Sequence, residues 1–149
     1  MIRQEVTHYL NNMANMASSY STAAGGSVLA VEAYDKKSYL RDFAERYDLP
    51  LEQFVLTPSE DTVNGILRRW LCGEDKVRLK DRWLANTFCR QLRRSLGEEK
   101  KTIVPAEGSE VLSLLSRTED GEPSRYAVDG LAFSFYKDGV LCFLFGHNM

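Results

Sequence analysis

The chain contains no stretch approaching the roughly 18 consecutive apolar residues of a membrane span. Its opening, Met1-Ile2-Arg3-Gln4-Glu5, carries an acid where a signal peptide needs an apolar core. Both absences predict a cytoplasmic protein with no membrane contact. Cysteine is scarce: Cys72, Cys89 and Cys142 are odd in number and form no Cys-x-x-Cys pair. Free, buried thiols in a reducing compartment are therefore expected rather than a disulfide framework. Histidine is scarcer still. A Ser or Cys nucleophile needs a base, and the candidates are His8, just off the apolar stripe of a helix, and His147, two residues from the end. A zinc site needs about four ligands at suitable spacing, which Cys72, Cys89, Cys142 and His147 do not show. No Gly-x-Gly-x-x-Gly occurs, and Gly25-Gly26-Ser27 lacks the Lys-Ser/Thr pair of a P-loop. The paired acids Glu98-Glu99 and Glu119-Asp120 fall in expected loops as solvating or turn residues. No catalytic residue, metal site or cofactor is assigned.

What remains is an ordinary globular composition, 44% apolar and 27% charged over 149 residues, enough for one domain to bury a core without metal or disulfide help. The first segment, Ile2 to Tyr20, reads as a helix with Ile2, Val6, Tyr9, Leu10, Met13, Met16, Ala17 and Tyr20 on one stripe, both methionines as core packing. Ala23-Ala24-Gly25-Gly26 ends it. Ser27 to Tyr34 fits either a short strand or a helix start. Asp35 begins a second helix that runs to about Tyr47. Thr57-Pro58-Ser59-Glu60 has the form of a capping box, opening a third helix with Val63, Ile66, Leu67, Trp70 and Leu71 inward, closed by Gly73. After the link Glu74-Asp75-Lys76, a fourth helix spans Leu79 to Leu96, with Leu84, Ala85, Phe88, Cys89, Leu92 and Leu96 on its apolar arc and Trp83 outside it.

Beyond Lys100 the texture becomes β. Thr102-Ile103-Val104 is strand-favouring, Ser109 to Ser116 fits a short helix or a strand, and Glu119 to Ser124 is a loop. Arg125 to Val128 reads as a strand, Asp129-Gly130 as a turn, and Leu131–Tyr136 with Val140–Phe145 as a hairpin through Asp138-Gly139. The last strand is apolar on both faces, which predicts a central or helix-covered position. The expected fold is α+β: a helical N-terminal two-thirds (1–97) and a small C-terminal antiparallel sheet (100–149) within one domain.

Charge is unevenly spread. Net charge is −2, but the segment 68–101 holds eleven Lys/Arg against five Asp/Glu, a net of +6, leaving −8 on the rest. Such asymmetry points to a basic surface on an acidic body. The third and fourth helices have the layout of a helix-turn-helix, in which the second helix meets the major groove. Arg82, Arg90, Arg93 and Arg94, followed by Lys100 and Lys101, are placed to neutralise phosphates. Asn86 and Gln91 are of the type that reads adenine edges, and Trp83 can stack on an unpaired base. The competing account is plain: an amphipathic helix must put polar residues outward, and neighbouring acids can pair with the arginines.

The run Phe88-Cys89-Arg90-Gln91-Leu92-Arg93-Arg94-Ser95-Leu96-Gly97, with Lys100-Lys101-Thr102-Ile103 after it, resembles the recognition helix and first wing strand of winged-helix DNA-binding domains. It is similar in particular to the module at the C-terminus of phage and plasmid primases. In that module an Arg-Arg-Trp-like helix end comes before, here Arg68-Arg69-Trp70, and a Tyr-x-x-x-Gly-Leu-like strand after, here Tyr126-Ala127-Val128-Asp129-Gly130-Leu131. The resemblance, over about residues 57–137, implies DNA or RNA as the partner and a bacterial phage- or plasmid-type accessory role; the primase activity itself lies outside this module. Two other functions stand beside it: a small immunity or inhibitor protein binding an acidic partner such as a toxin or enzyme, and an enzyme of unrecognised type.

Overall fold

The computed structural model describes residues 1–22, 26–73, 78–116 and 126–148. Along the chain run α1 (Gln4–Tyr20), β1 (Ser27–Tyr34), α2 (Tyr39–Tyr47), a 3-10 turn (Leu51–Gln53), β2 (Phe54–Leu56), α3 (Val63–Cys72), α4 (Leu79–Leu96), β3 (Lys101–Pro105), α5 (Val111–Leu115), β4 (Tyr126–Phe135) and β5 (Val140–Asn148). The strands form one sheet in the order β1-β5-β4-β3-β2, antiparallel at every neighbouring pair. The class is α+β, but the expected partition of the chain is overturned. Two of the five strands, β1 and β2, arise within residues 1–97, and a helix, α5, lies among the later strands. Ser27–Tyr34, open between strand and helix in the sequence, is the edge strand against β5. Its alternation of Leu29 and Val31 on one face with Tyr34 on the other is what a strand between two apolar layers requires.

Helices cover both faces. On one, α1, α3 and α4 pack on Leu29, Val31, Leu141 and Phe143. On the other, α2 and α5 pack on Leu131, Phe133, Val140 and Cys142. Strand β5 contributes alternately to the two cores, which accounts for its unbroken apolar sequence. The hairpin at Asp138-Gly139 is present, with Phe135 opposite Val140. The expected turn at Asp129-Gly130 is not a turn. Strand β4 runs straight through it with a bulge between Val128 and Gly130, and the Trp70 ring lies so close over Gly130 that a Cβ there would sit 2.4 Å from it. Trp70 also stacks on Phe145, centroids 5.4 Å apart and planes 4° apart.

The capping box is corrected too. Thr57 follows β2 and is tied to β3, its N–H donating to the Thr102 carbonyl at 2.9 Å, and α3 begins only at Val63, with the Thr62 hydroxyl accepting from Gly65 N at 3.3 Å. Residues 23–25, the link 74–76 and the loop 119–124 lie outside the described residues. Cys72, Cys89 and Cys142 are buried free thiols. Among the described residues no helix is long and apolar enough to cross a membrane.

Candidate nucleic-acid interface

Helix α4 is held along its whole length. Its inner residues Ala85, Phe88, Cys89 and Leu92 are buried in the core. At its start, Asp81 is fully buried, accepting from Thr22 N at 2.7 Å, Ser21 Oγ at 3.1 Å and Thr22 Oγ1 at 3.2 Å. These bonds tie it to the end of α1. At its finish, Gly97 takes φ +78 and donates its N–H to Arg93 O at 2.7 Å, the left-handed region that favours glycine. On one flank Tyr9 of α1 donates to Gln91 Oε1 at 3.3 Å. On the other, Arg68 Nε of α3 donates to Asn86 Oδ1 at 3.0 Å and Cys89 Sγ lies 3.8 Å from Asn64 O. Helix α4 therefore lies between α1 and α3, running antiparallel to α1, with only its outer crest free.

The structure divides the predicted residues. Leu79, Trp83, Arg90 and Arg94 fall on one stripe by helical spacing and are all exposed; Trp83 is 61% and Leu79 82% exposed. Arg82 is exposed on the flank toward α3, close enough to Cys72 to act on its thiol. Among the described residues no carboxylate lies within ion-pair distance of Arg82, Arg90 or Arg94. Arg93 is different: its Nη2 lies 2.5 Å from Glu98 Oε1. Asn86 and Gln91 are half-buried, and the amide oxygen of each already accepts a bond, from Arg68 and Tyr9, which competes with a two-pronged contact to an adenine edge. Lys100 and Lys101 are exposed, but Lys101 sits over the Phe135 ring at 4.5 Å. Since Phe135 packs with α2 and α5, Lys101 lies on the sheet face opposite α4.

Three features escaped the sequence reading. Asp81 shares the i, i+4, i+7, i+11 spacing of Ala85, Phe88 and Leu92, a signal that it belongs to the buried stripe. Glu99, read as a solvating loop charge, accepts from Val63 N at 3.0 Å and Thr102 Oγ1 at 2.5 Å, beside a cavity of about 220 Å³ shared with Thr62, Asn64 and Tyr136. The α1 stripe is also rotated from expectation. Leu10, Ala14, Ala17 and Ser18 are buried, whereas Tyr9, Met16 and Tyr20 are exposed, because small Ala14 and Ser18 let the helix approach the sheet closely. Met16 is thus no core residue, and Met13 is only half-buried.

Of the histidines, His8 is exposed and His147 Nδ1 lies 2.6 Å from Asp129 Oδ2 at the sheet end. Burial pushes the Cys89 thiol up to about 11 and raises Cys72 and Cys142 as well, which keeps all three protonated and poor nucleophiles at neutral pH. Among the described residues no group of three or more His, Cys, Asp or Glu could hold a metal ion. No protein-family model, curated protein or solved structure matches the chain.

Proposed function

We propose that this protein binds nucleic acid through the outer face of α4. The observation that carries the reading is that, among the described residues, Arg82, Arg90 and Arg94 have no acid within ion-pair distance. Elsewhere Arg46 meets Glu32 at 3.2 Å and Arg69 meets Asp61 at 3.3 Å, so this chain does neutralise arginines when acids are within reach. Helix α4 carries Lys80, Arg82, Arg90, Arg93 and Arg94 against a single acid, Asp81, which faces inward. A cationic crest on a chain of net charge −2 suits a polyanion. The resemblance to winged-helix modules points to the same helix, here followed by β3, although with α1 and α3 bonded to its flanks α4 offers its crest rather than inserting into a groove. With the amide oxygens of Asn86 and Gln91 already accepting bonds, contacts to phosphate are expected to outweigh contacts to base edges, and binding to tolerate sequence.

Fluorescence anisotropy with labelled DNA and RNA across a salt series tests this. Affinity should fall steeply with salt. Arg90→Ala with Arg94→Ala should flatten the log–log slope by roughly 1.4 to 1.8, two phosphate contacts' worth. An unchanged affinity in the double variant removes α4 from the site.

A second reading is supported by the exposed Met16, Tyr20 and Trp83 beside arginines, residue types enriched at protein interfaces. In it the protein is a small inhibitor or immunity-type protein for an acidic partner. A toxin or enzyme gene adjoining this one, with specific binding of its purified product, would favour it.

A further inference from the structure

We infer, on the basis of the nucleic-acid reading above, that the ligand is a single strand whose bases stack on Trp83 and Tyr20 while its phosphates lie on Arg90 and Arg94. The tyrosines of α1 stand on the same surface as the crest of α4. Tyr9, Met16 and Tyr20 are spaced i, i+7, i+11, one stripe of a helix, and the Tyr9–Gln91 bond shows that this stripe flanks α4. Because Asp81 joins the start of α4 to Ser21 and Thr22, Tyr20 lies beside the Trp83 end and Tyr9 beside the Arg90 end. The surface therefore has an aromatic half, with Trp83 61% and Tyr20 60% exposed, and a cationic half. The one acid of α1, Glu5, lies four residues before Tyr9 and so stands toward the Arg94 end, and Glu98 pairs with Arg93, but among the described residues no carboxylate is within ion-pair distance of Arg90 or Arg94.

Two physical arguments favour a single strand over a duplex. A recognition helix reads a duplex by entering a groove about 8.5 Å deep, nearly the full thickness of a helix. Here α1 and α3 flank α4 on the same sheet face, and both would meet the duplex backbone before α4 reached base edges. Exposed rings offer nothing to a duplex, whose bases are already stacked, whereas each base of a single strand presents a free face to them. From Leu79 to Arg94 the crest runs about 22 Å, room for a short strand lying along the helix, and Arg90 and Arg94 stand one turn apart to meet successive phosphates.

The test uses the full chain with an oligothymidine 20-mer and a 20-base-pair hairpin of mixed sequence, at low salt. Quenching of tryptophan emission and anisotropy are read together. Trp70, half-buried against Phe145, provides a background that Trp83→Phe isolates. The inference expects saturable quenching and tighter binding of the 20-mer than of the hairpin. Trp83→Ala should lose roughly 5- to 100-fold for the 20-mer, with unchanged thermal melting, and Trp83→Phe should retain most of the affinity. Equal or tighter hairpin binding, or Trp83→Ala without effect, overturns the stacking inference and leaves the phosphate-contact reading standing. Binding of neither polymer overturns both and gives the patch to a protein partner.

Discussion

Burying a carboxylate is costly unless it is hydrogen-bonded, and Asp81 Oδ1 accepts from Thr22 N and Thr22 Oγ1, with Ser21 Oγ at 3.1 Å. Its position in the first turn of α4 adds the favourable helix dipole. Asp81→Ala removes the acceptor of the part-buried Thr22 N and Thr22 Oγ1, while Ser21 Oγ keeps Leu71 O at 2.5 Å. A loss of about 2–3 kcal/mol is expected, read as a lower urea midpoint, and Asp81→Asn should recover part of it. The thiol of Cys89 makes a different prediction. Its ordinary value is 9.0 and burial pushes it up to about 11. Below pH 9 the thiol is protonated in folded and unfolded chains alike. Between 9 and 11 the unfolded chain releases a proton that the folded chain retains, so stability falls as pH rises and the fall levels off above 11. Cys89 alone accounts for about 3 kcal/mol of that decline. Cys142, Tyr34 and Tyr136 are shifted in the same direction by burial. Urea titrations between pH 8 and 11 should show the decline, and Cys89→Ala should make it shallower.

At the scale of elements, two adjacent glutamates have opposite duties. Glu98 is exposed and pairs with Arg93 in solvent, a contact worth little. Glu99 bridges the first free N–H of α3 to Thr102 on β3. Glu99→Ala should cost about 1–3 kcal/mol, while Glu98→Ala should barely move the melting temperature; equal effects would show that α3 is not anchored this way. No local pattern distinguishes the two, because the difference is made by a helix start 36 residues away in sequence. The same holds for the capping box. Thr57-Pro58-Ser59-Glu60 satisfies the local rule, but Thr57 is taken by the β2–β3 ladder. Helices α3 and α4 were legible because their apolar spacing matches their burial closely, and Trp83 was correctly outside the arc. The β4 bulge was not legible: Asp129-Gly130 has turn chemistry, and only the Trp70 ring above Gly130 explains why the glycine serves close approach instead. The arginines of the candidate site were legible as a face. Which of them lacked an acid was not, since Glu98 reaches Arg93 and misses Arg94.

For the molecule as a whole, the helical face carrying α1, α4 and α3 sits on a sheet whose far side is also covered, so the cationic crest rests on a scaffold packed from both directions. This rigidity favours a preformed surface over one that folds on contact. The sheet order has a further consequence. Among the described strands β1 comes earliest in sequence and lies at one edge, and its partner β5 comes latest, so Leu29 and Val31 must wait for Phe143 and Leu141 to complete one side of the core. While the chain is being made, α1 and β1 therefore stand exposed as an apolar hairpin without a mate, and the pairing that rescues them spans more than a hundred residues. Non-local pairing of this kind slows folding and prolongs exposure to aggregation. A chain ending at residue 139 should remain protease-sensitive and bind chaperones, and supplying residues 140–148 as a separate peptide should restore protection.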